Sequence, residues 1–169
     1  MKKIICVLFL ITLIFMSSKK QESVIIPKES IRFRLIANSN SIQDQTLKKT
    51  IKKDLETNFI QSLSTNNISN TEKSIKESLN IIDNVMRNYN VNYDVSYGNN
   101  YFPEKEYKGV KYPEGNYKSL VITLGEGTGD NWWCVLFPPL CLMETDNDTD
   151  DIEYKFYVQN ILDKISNQS

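Results

Sequence analysis

The sequence predicts an α+β fold: a mainly antiparallel sheet with two amphipathic helices on one face and a short C-terminal helix, after an N-terminal signal segment. Three observations carry this. Apolar and polar residues alternate at 31–35 and at 91–97, the period of a half-buried strand. Between them, apolar residues recur every third or fourth position in two stretches, the period of an amphipathic helix. The run Leu120-Val121-Ile122-Thr123-Leu124 is apolar enough for a central strand. The order is strand, helix, helix, strand, strand, strand, helix, without internal repeat, and residues 21–169 read as a single domain.

Taken in order, Met1-Lys2-Lys3 is a short basic start, residues 4–16 are almost wholly apolar, and Ser17-Ser18 followed by Lys19-Lys20 closes the run. That is the layout of a secretory signal, so residues 1–20 are expected to be a signal peptide or, if uncut, an N-terminal membrane anchor. The apolar run is short for a bilayer, which takes roughly 20 residues. Residues 19–26 read as a polar linker ending in Val24-Ile25-Ile26. Ile31, Phe33 and Leu35 then alternate with Arg32 and Arg34, a strand with a basic outer face. Asn38-Ser39-Asn40 is a turn cluster. Ser41, with Asp44 three residues on, opens a helix as a capping box with Asp in place of Glu. Its stripe is Leu47, Ile51, Leu55 and Phe59, with Lys48, Lys49, Lys52 and Lys53 off it. Ser69 and Glu72 make a second box before a helix bearing Ile75, Leu79, Ile82, Val85, Met86 and Tyr89. Val91, Tyr93, Val95 and Tyr97 form a strand ending at Gly98. Pro103, Gly109, Pro113 and Gly115 mark a long crossing loop with a small ribbon at 107–112. After the central strand come Gly125, Gly127 and Gly129, then NWWCVLFPPLC from Asn131 to Cys141. Residues 144–153 hold acids and no base, a solvated connection. Tyr154, Phe156 and Val158 alternate as a last strand, and Ile161, Leu162 and Ile165 support the closing helix.

Composition narrows the chemistry. The 169 residues carry 20 Lys+Arg against 21 Asp+Glu, a balance without general pull toward nucleic acid. There is no histidine. Ser-His-Asp and Cys-His nucleophilic pairs are therefore excluded, as are His-ligated zinc and iron sites. If the chain is exported, Cys134 and Cys141 lie in a disulfide-permissive setting, and a ring of about eight residues would stabilise by roughly 2.5 kcal/mol. The alternative is two buried thiols packing as small hydrophobes. Two cysteines are too few for a four-coordinate zinc site, and neither metal nor cofactor is expected.

Four features could carry function. Gly125-Glu126-Gly127-Thr128-Gly129 has the glycine content of a phosphate loop but lacks the G-K-[ST] ending, and reads as a turn needing positive φ. Glu126 and Asp130 could serve as an acid/base pair in a glycoside hydrolase. Trp132 and Trp133, being adjacent, point to opposite faces of an extended segment, so one can be core and the other an interface anchor; both can also form a core plug. Arg32, Arg34 and the lysines of 48–53 could meet an acidic partner or anionic lipid, or be solvated faces.

The runs Ile26-Pro27-Lys28-Glu29-Ser30-Ile31-Arg32-Phe33-Arg34-Leu35-Ile36-Ala37-Asn38-Ser39, then Asp44-Gln45 and Leu47-Lys48, resemble the start of the stage II sporulation protein R family. So do Tyr97-Gly98, Phe102-Pro103, Lys105, Tyr107, Gly109, Tyr112-Pro113, Gly115 and Tyr117. The most specific block is Gly125-Glu126-Gly127, Gly129 and the stretch Asn131 to Cys141. Glu114, Asn116 and Asp130 depart mildly from the pattern. The resemblance implies an exported signalling protein of endospore formation, not an enzyme. It would be made in the forespore and secreted into the space between the two membranes. There it would activate a membrane-embedded aspartic protease of the mother cell, which processes the precursor of sigma-E. The expected partner surface is Asn131, Trp132, Trp133, Phe137, Pro138 and Pro139, with Arg32 and Arg34 as fold-internal or docking groups and Cys134–Cys141 as the staple. The alternative is an exported cell-wall hydrolase using a carboxylate pair.

Overall fold

The computed structural model describes residues 23–141 and 151–167. The expected signal segment at 1–20 and most of the acidic connection at 144–153 lie outside the described residues. A four-stranded sheet forms the centre, in the order β3-β6-β2-β7. Its strands are β2 (Ile31–Ile36), β3 (Tyr93–Phe102), β6 (Gly115–Leu124) and β7 (Asn131–Phe137). β2 runs parallel to β6, while β2–β7 and β3–β6 are antiparallel. A second, three-stranded sheet has the order β1-β5-β4, from β1 (Val24–Ile25), β4 (Lys105–Tyr107) and β5 (Val110–Tyr112). The helices are α1 (Ile42–Asn58), α2 (Ile68–Glu77), α3 (Leu79–Met86) and α4 (Asp151–Ser166). Among the described residues no helix is long and apolar enough to cross a membrane. The chain is thus α+β, as its sequence predicts.

The helices at 42–86 cover one face of the large sheet. Phe33 and Leu35 of β2, Leu120, Ile122 and Leu124 of β6, and Cys134 and Leu136 of β7 meet Ile51, Leu55, Ile75, Ile82 and Met86 in one aliphatic core. Ser41 caps α1, its side chain accepting from the Asp44 N–H as the sequence predicts. β6 is an interior strand, which explains its apolar run. The opposite face packs on the small sheet and α4 in a second, aromatic-rich core that includes Phe102, Tyr112, Tyr117, Trp133 and Tyr154.

The structure corrects several expectations. Residues 154–158 are helical: Tyr154 and Val158 are buried at i,i+4 spacing while Phe156 is exposed. An alternation three members long cannot be told from a helical stripe when its ends are four apart. The second helix is two, broken at Ser78, and its cap is Asn67, not Ser69. β3 continues through Gly98 to Phe102, so little of 99–116 is loop. The expected ribbon there is β4–β5, turned by Lys108 and Gly109 at φ 49 and 73, the primed geometry of a two-residue hairpin. Val24-Ile25, read as linker, is β1, parallel to β5.

Candidate functional site

The Asn131–Cys141 block builds an edge strand and a closed turn. β7 pairs with β2 so that Arg34 faces Trp133, Leu35 faces Trp132 and Phe33 faces Cys134. The two tryptophans point to opposite faces, as their adjacency requires. Trp132 packs edge-on to Phe33, ring centroids 5.6 Å apart, half-buried on the helix-covered side with the Lys52 ammonium 4.5 Å from its ring. Trp133 is buried on the other side against Phe102 and Tyr112. Beyond β7 the chain turns through a cis Phe137–Pro138 peptide, and the Leu140 and Cys141 N–H groups both donate to the Val135 carbonyl. Cys134 and Cys141 form a disulfide within the aliphatic core.

The expected partner surface is therefore mostly interior. Phe137 and Pro138 are buried, Trp132 and Pro139 half-buried, and of the block only Asn131 is exposed. Arg32, expected on a basic outer face, is 0% exposed. Both faces of β2 are covered, which alternation within one strand cannot reveal. The Arg32 guanidinium lies 3.5 Å from the Tyr117 ring centroid, 5.1 Å from Phe102 and 5.2 Å from Trp133. Its Nη2 donates to the Pro113 carbonyl at 3.0 Å, while Nε and Nη1 have no hydrogen-bond partner. Burial lowers its pKa to about 10. Arg34 stacks 4.1 Å over Phe102 and donates to the Tyr101 carbonyl. The aromatic faces, electron-rich through their ring quadrupole, attract the cation where a carboxylate's charge would otherwise do so. Phe102 and Tyr117 were not assigned to this site from sequence; an i,i+2 arginine pair in a strand flanked by core residues was the available signal.

The glycine segment is a clasp. Asn38 Oδ1 accepts from the Glu126 N–H, the Asn38 carbonyl from Thr128, the Ala37 carbonyl from Gly129, and Asn40 Oδ1 from Asp130. With Gly125 donating to Asn92 and Gly127 to Leu124, every backbone N–H from 125 to 130 is engaged within the protein. A phosphate would find no free donor in this loop. Gly125 takes φ 54, and a Cβ there would overlap Asn38; one at Gly129 would overlap the Ser39 carbonyl. The nearby Lys48 ammonium, buried rather than solvated, donates to the Asp130 carbonyl and Gln45 Oε1. Hydrogen bonds from Ser39 and Asn38 hold the Asp44 carboxyl below its ordinary range. Glu126 and Asp130 are both exposed, and Asp130 Oδ1 accepts from Asn40. Among the described residues no group of three or more His, Cys, Asp or Glu side chains is placed to hold a metal ion.

Beside the block, a groove of about 420 Å³ lies between the β1–β2 connection, the start of α2, the Phe137-Pro138 turn and the end of α4.

Comparison with known proteins agrees with the motif reading. The family model described as "Stage II sporulation protein R (spore_II_R)" matches residues 27–147. The curated "Stage II sporulation protein R" of Bacillus subtilis (strain 168) is 33% identical over 135 residues, covering 76% of this chain and 60% of the relative. The chain thus spans less than two thirds of that relative's length. No solved structure matches. The matched residues include β2, the clasp and the whole Trp–Pro–Cys block, and the chain belongs to the stage II sporulation protein R family, with a role in sporulation.

Proposed function

We propose that this protein is an exported signalling ligand of endospore formation. It leaves the forespore through its N-terminal signal, enters the space between the two membranes, and activates a membrane-embedded aspartic protease of the mother cell. That protease then shortens the precursor of sigma-E. The observation that carries the reading is family membership over residues 27–147. Two features support it. The Cys134–Cys141 disulfide suits a compartment outside the cytoplasm. The backbone donors of the glycine segment are spent on holding two loops together, which suits a preorganised binding module. Activation works by tighter binding to the active state of the protease, since a ligand shifts an equilibrium only through differential affinity.

The test is reconstitution in a non-sporulating bacterium. The full chain with its signal, the candidate protease and the sigma-factor precursor are co-expressed, and precursor shortening is followed by blot. Shortening that requires both this chain and its signal is expected. Its absence, with all three proteins present, overturns the reading. Replacing Glu126 by Gln and Asp130 by Asn should leave shortening intact; loss of function in a folded double variant would favour the hydrolase alternative.

A further inference from the structure

The groove beside the Phe137-Pro138 turn joins an apolar lining to a buried, unpaired hydroxyl. Its walls are Pro27, Ile68, Phe137, Pro138, Leu162 and Ile165, contributed by four separate segments, and its volume of about 420 Å³ lies in the range of ligand pockets. Two polar features break this apolar lining. Ser30 lines the groove and is 2% exposed, yet its hydroxyl has no hydrogen-bond partner. A buried hydroxyl left unpaired costs free energy, and the neighbouring backbone does not use it: the Ser30 N–H donates to Pro27, but Oγ bonds nothing. On the rim stand Glu29 and Asp163, both exposed and, among the described residues, neither in an ion pair, though Asp163 Oδ1 accepts from Gln159.

Charge argues against one occupant. The chain's own segment 142–150 carries Glu144, Asp146, Asp148 and Asp150 and would meet an acidic rim with like charge. An apolar stretch flanked by a cation meets the same rim favourably. We propose that the groove receives an apolar peptide segment of the partner protein, with a Lys or Arg beside it pairing with Glu29 and Asp163 and a donor or acceptor completing the Ser30 hydroxyl. The inference rests on the functional reading above in one respect: it identifies that partner as the membrane protease. It relocates the contact from the tryptophans, which the fold buries or half-buries, to the far end of the same block.

The reconstituted system tests it with the full chain. Glu29→Lys with Asp163→Lys should slow precursor shortening by about tenfold or more, the size of losing a matched rim charge pair together with the repulsion introduced. Both residues are exposed, so the thermal midpoint should stay close to wild type; the reversal Glu77→Lys, on an exposed site of α2 away from the groove, should leave shortening unchanged. Ser30→Ala should keep or raise the thermal midpoint, because it removes an unpaired hydroxyl, while slowing shortening several-fold. A purely structural Ser30 would leave the rate untouched. A photo-crosslinking residue at position 163 should join this chain to an exposed segment of the protease. If wild type shortens the precursor and the rim reversal does so equally well, the groove assignment is overturned and the signalling reading stands. Crosslinks confined to a second copy, or to the chain's own residues, overturn it equally. If wild type itself is inert, the signalling reading fails, and with it the identity of the groove's partner.

Discussion

The two faces of the four-stranded sheet are closed by different physics. The face toward α1–α3 is mainly hydrocarbon: Phe33, Leu35, Leu120 and Ile122 meet Ile51, Leu55 and Ile82, and burial of apolar surface is its main stabilisation. The other face carries Arg32 and Arg34 among Phe102, Tyr117 and Trp133, with no carboxylate in an ion pair with either cation among the described residues. The difference teaches that a buried guanidinium can be held by ring faces and a single carbonyl. Volume and stacking replace charge neutralisation there.

The sharpest way to break that comparison is one substitution on each face. Phe33→Ala should cost about 3–5 kcal/mol by leaving a cavity in a close-packed core. Arg32→Met should cost within about 1 kcal/mol, since it keeps most of the volume and removes two unsatisfied donors, while Pro113 still accepts from Tyr117. Denaturant titration of both decides; an Arg32→Met loss as large as Phe33→Ala would show that the cation itself holds the second face. Next in size is the disulfide, which sits on the hydrocarbon side. Replacing Cys134 and Cys141 together by Ala should lower stability by about 2.5 kcal/mol through loop entropy. An equal response to added reductant would confirm that the staple, not the lost sulfurs, is responsible.

The glycines sharpen the comparison further. Gly129→Ala forces a Cβ onto the Ser39 carbonyl and should cost about 1–3 kcal/mol. Gly98→Ala meets nothing within 4 Å on the strand that lies at the sheet edge, and should be neutral or stabilising. Thermal melts of the pair test whether the clasp is as tight as its geometry. The smallest effect concerns Tyr97, whose hydroxyl is buried without a partner on the helix-covered side. Burial first, and Glu72 second, push its pKa up to about 12. The unfolded chain then releases that phenol proton near pH 10 and the folded chain near 12, so this contribution to stability is intact below 10 and lost between 10 and 12. Tyr97→Phe should change stability at neutral pH by less than about 1 kcal/mol and remove one late-titrating phenol from the tyrosine absorbance titration. Arg32, with its pKa lowered, opposes this trend over the same alkaline range, so the spectroscopic titration is the cleaner readout.

Much of the fold was legible locally because its signals are local. The Ser41 cap, the stripe Leu47–Ile51–Leu55, the interior character of 120–124 and the small ribbon at 107–112 all depend on neighbours within a few residues. The failures share a cause. Arg32 looked solvated because alternation records that two faces differ, not that either is open. Tyr154 and Val158 looked like a strand because buried spacings of two and four overlap. The exposure of the candidate surface was illegible for the same reason: the block from Asn131 was identifiable as special, but whether Trp132, Trp133 and Phe137 face water depends on α1, α4 and the small sheet.

Motifs and periodicity were thus enough for the family, the α+β class, the Ser41 helix cap and the pairing partner available to Cys134. Each rests on a motif or on periodicity within one element. Only the tertiary structure decided that Arg32 is enclosed by rings, that Asn38 and Asn40 consume the donors of the glycine segment, and that Pro27, Ile68, Phe137 and Leu162 meet around the Ser30 hydroxyl. Apart from Pro27 beside Ser30, those contacts join residues far apart in the chain, and no local pattern encodes which buried surfaces the folding chain brings together.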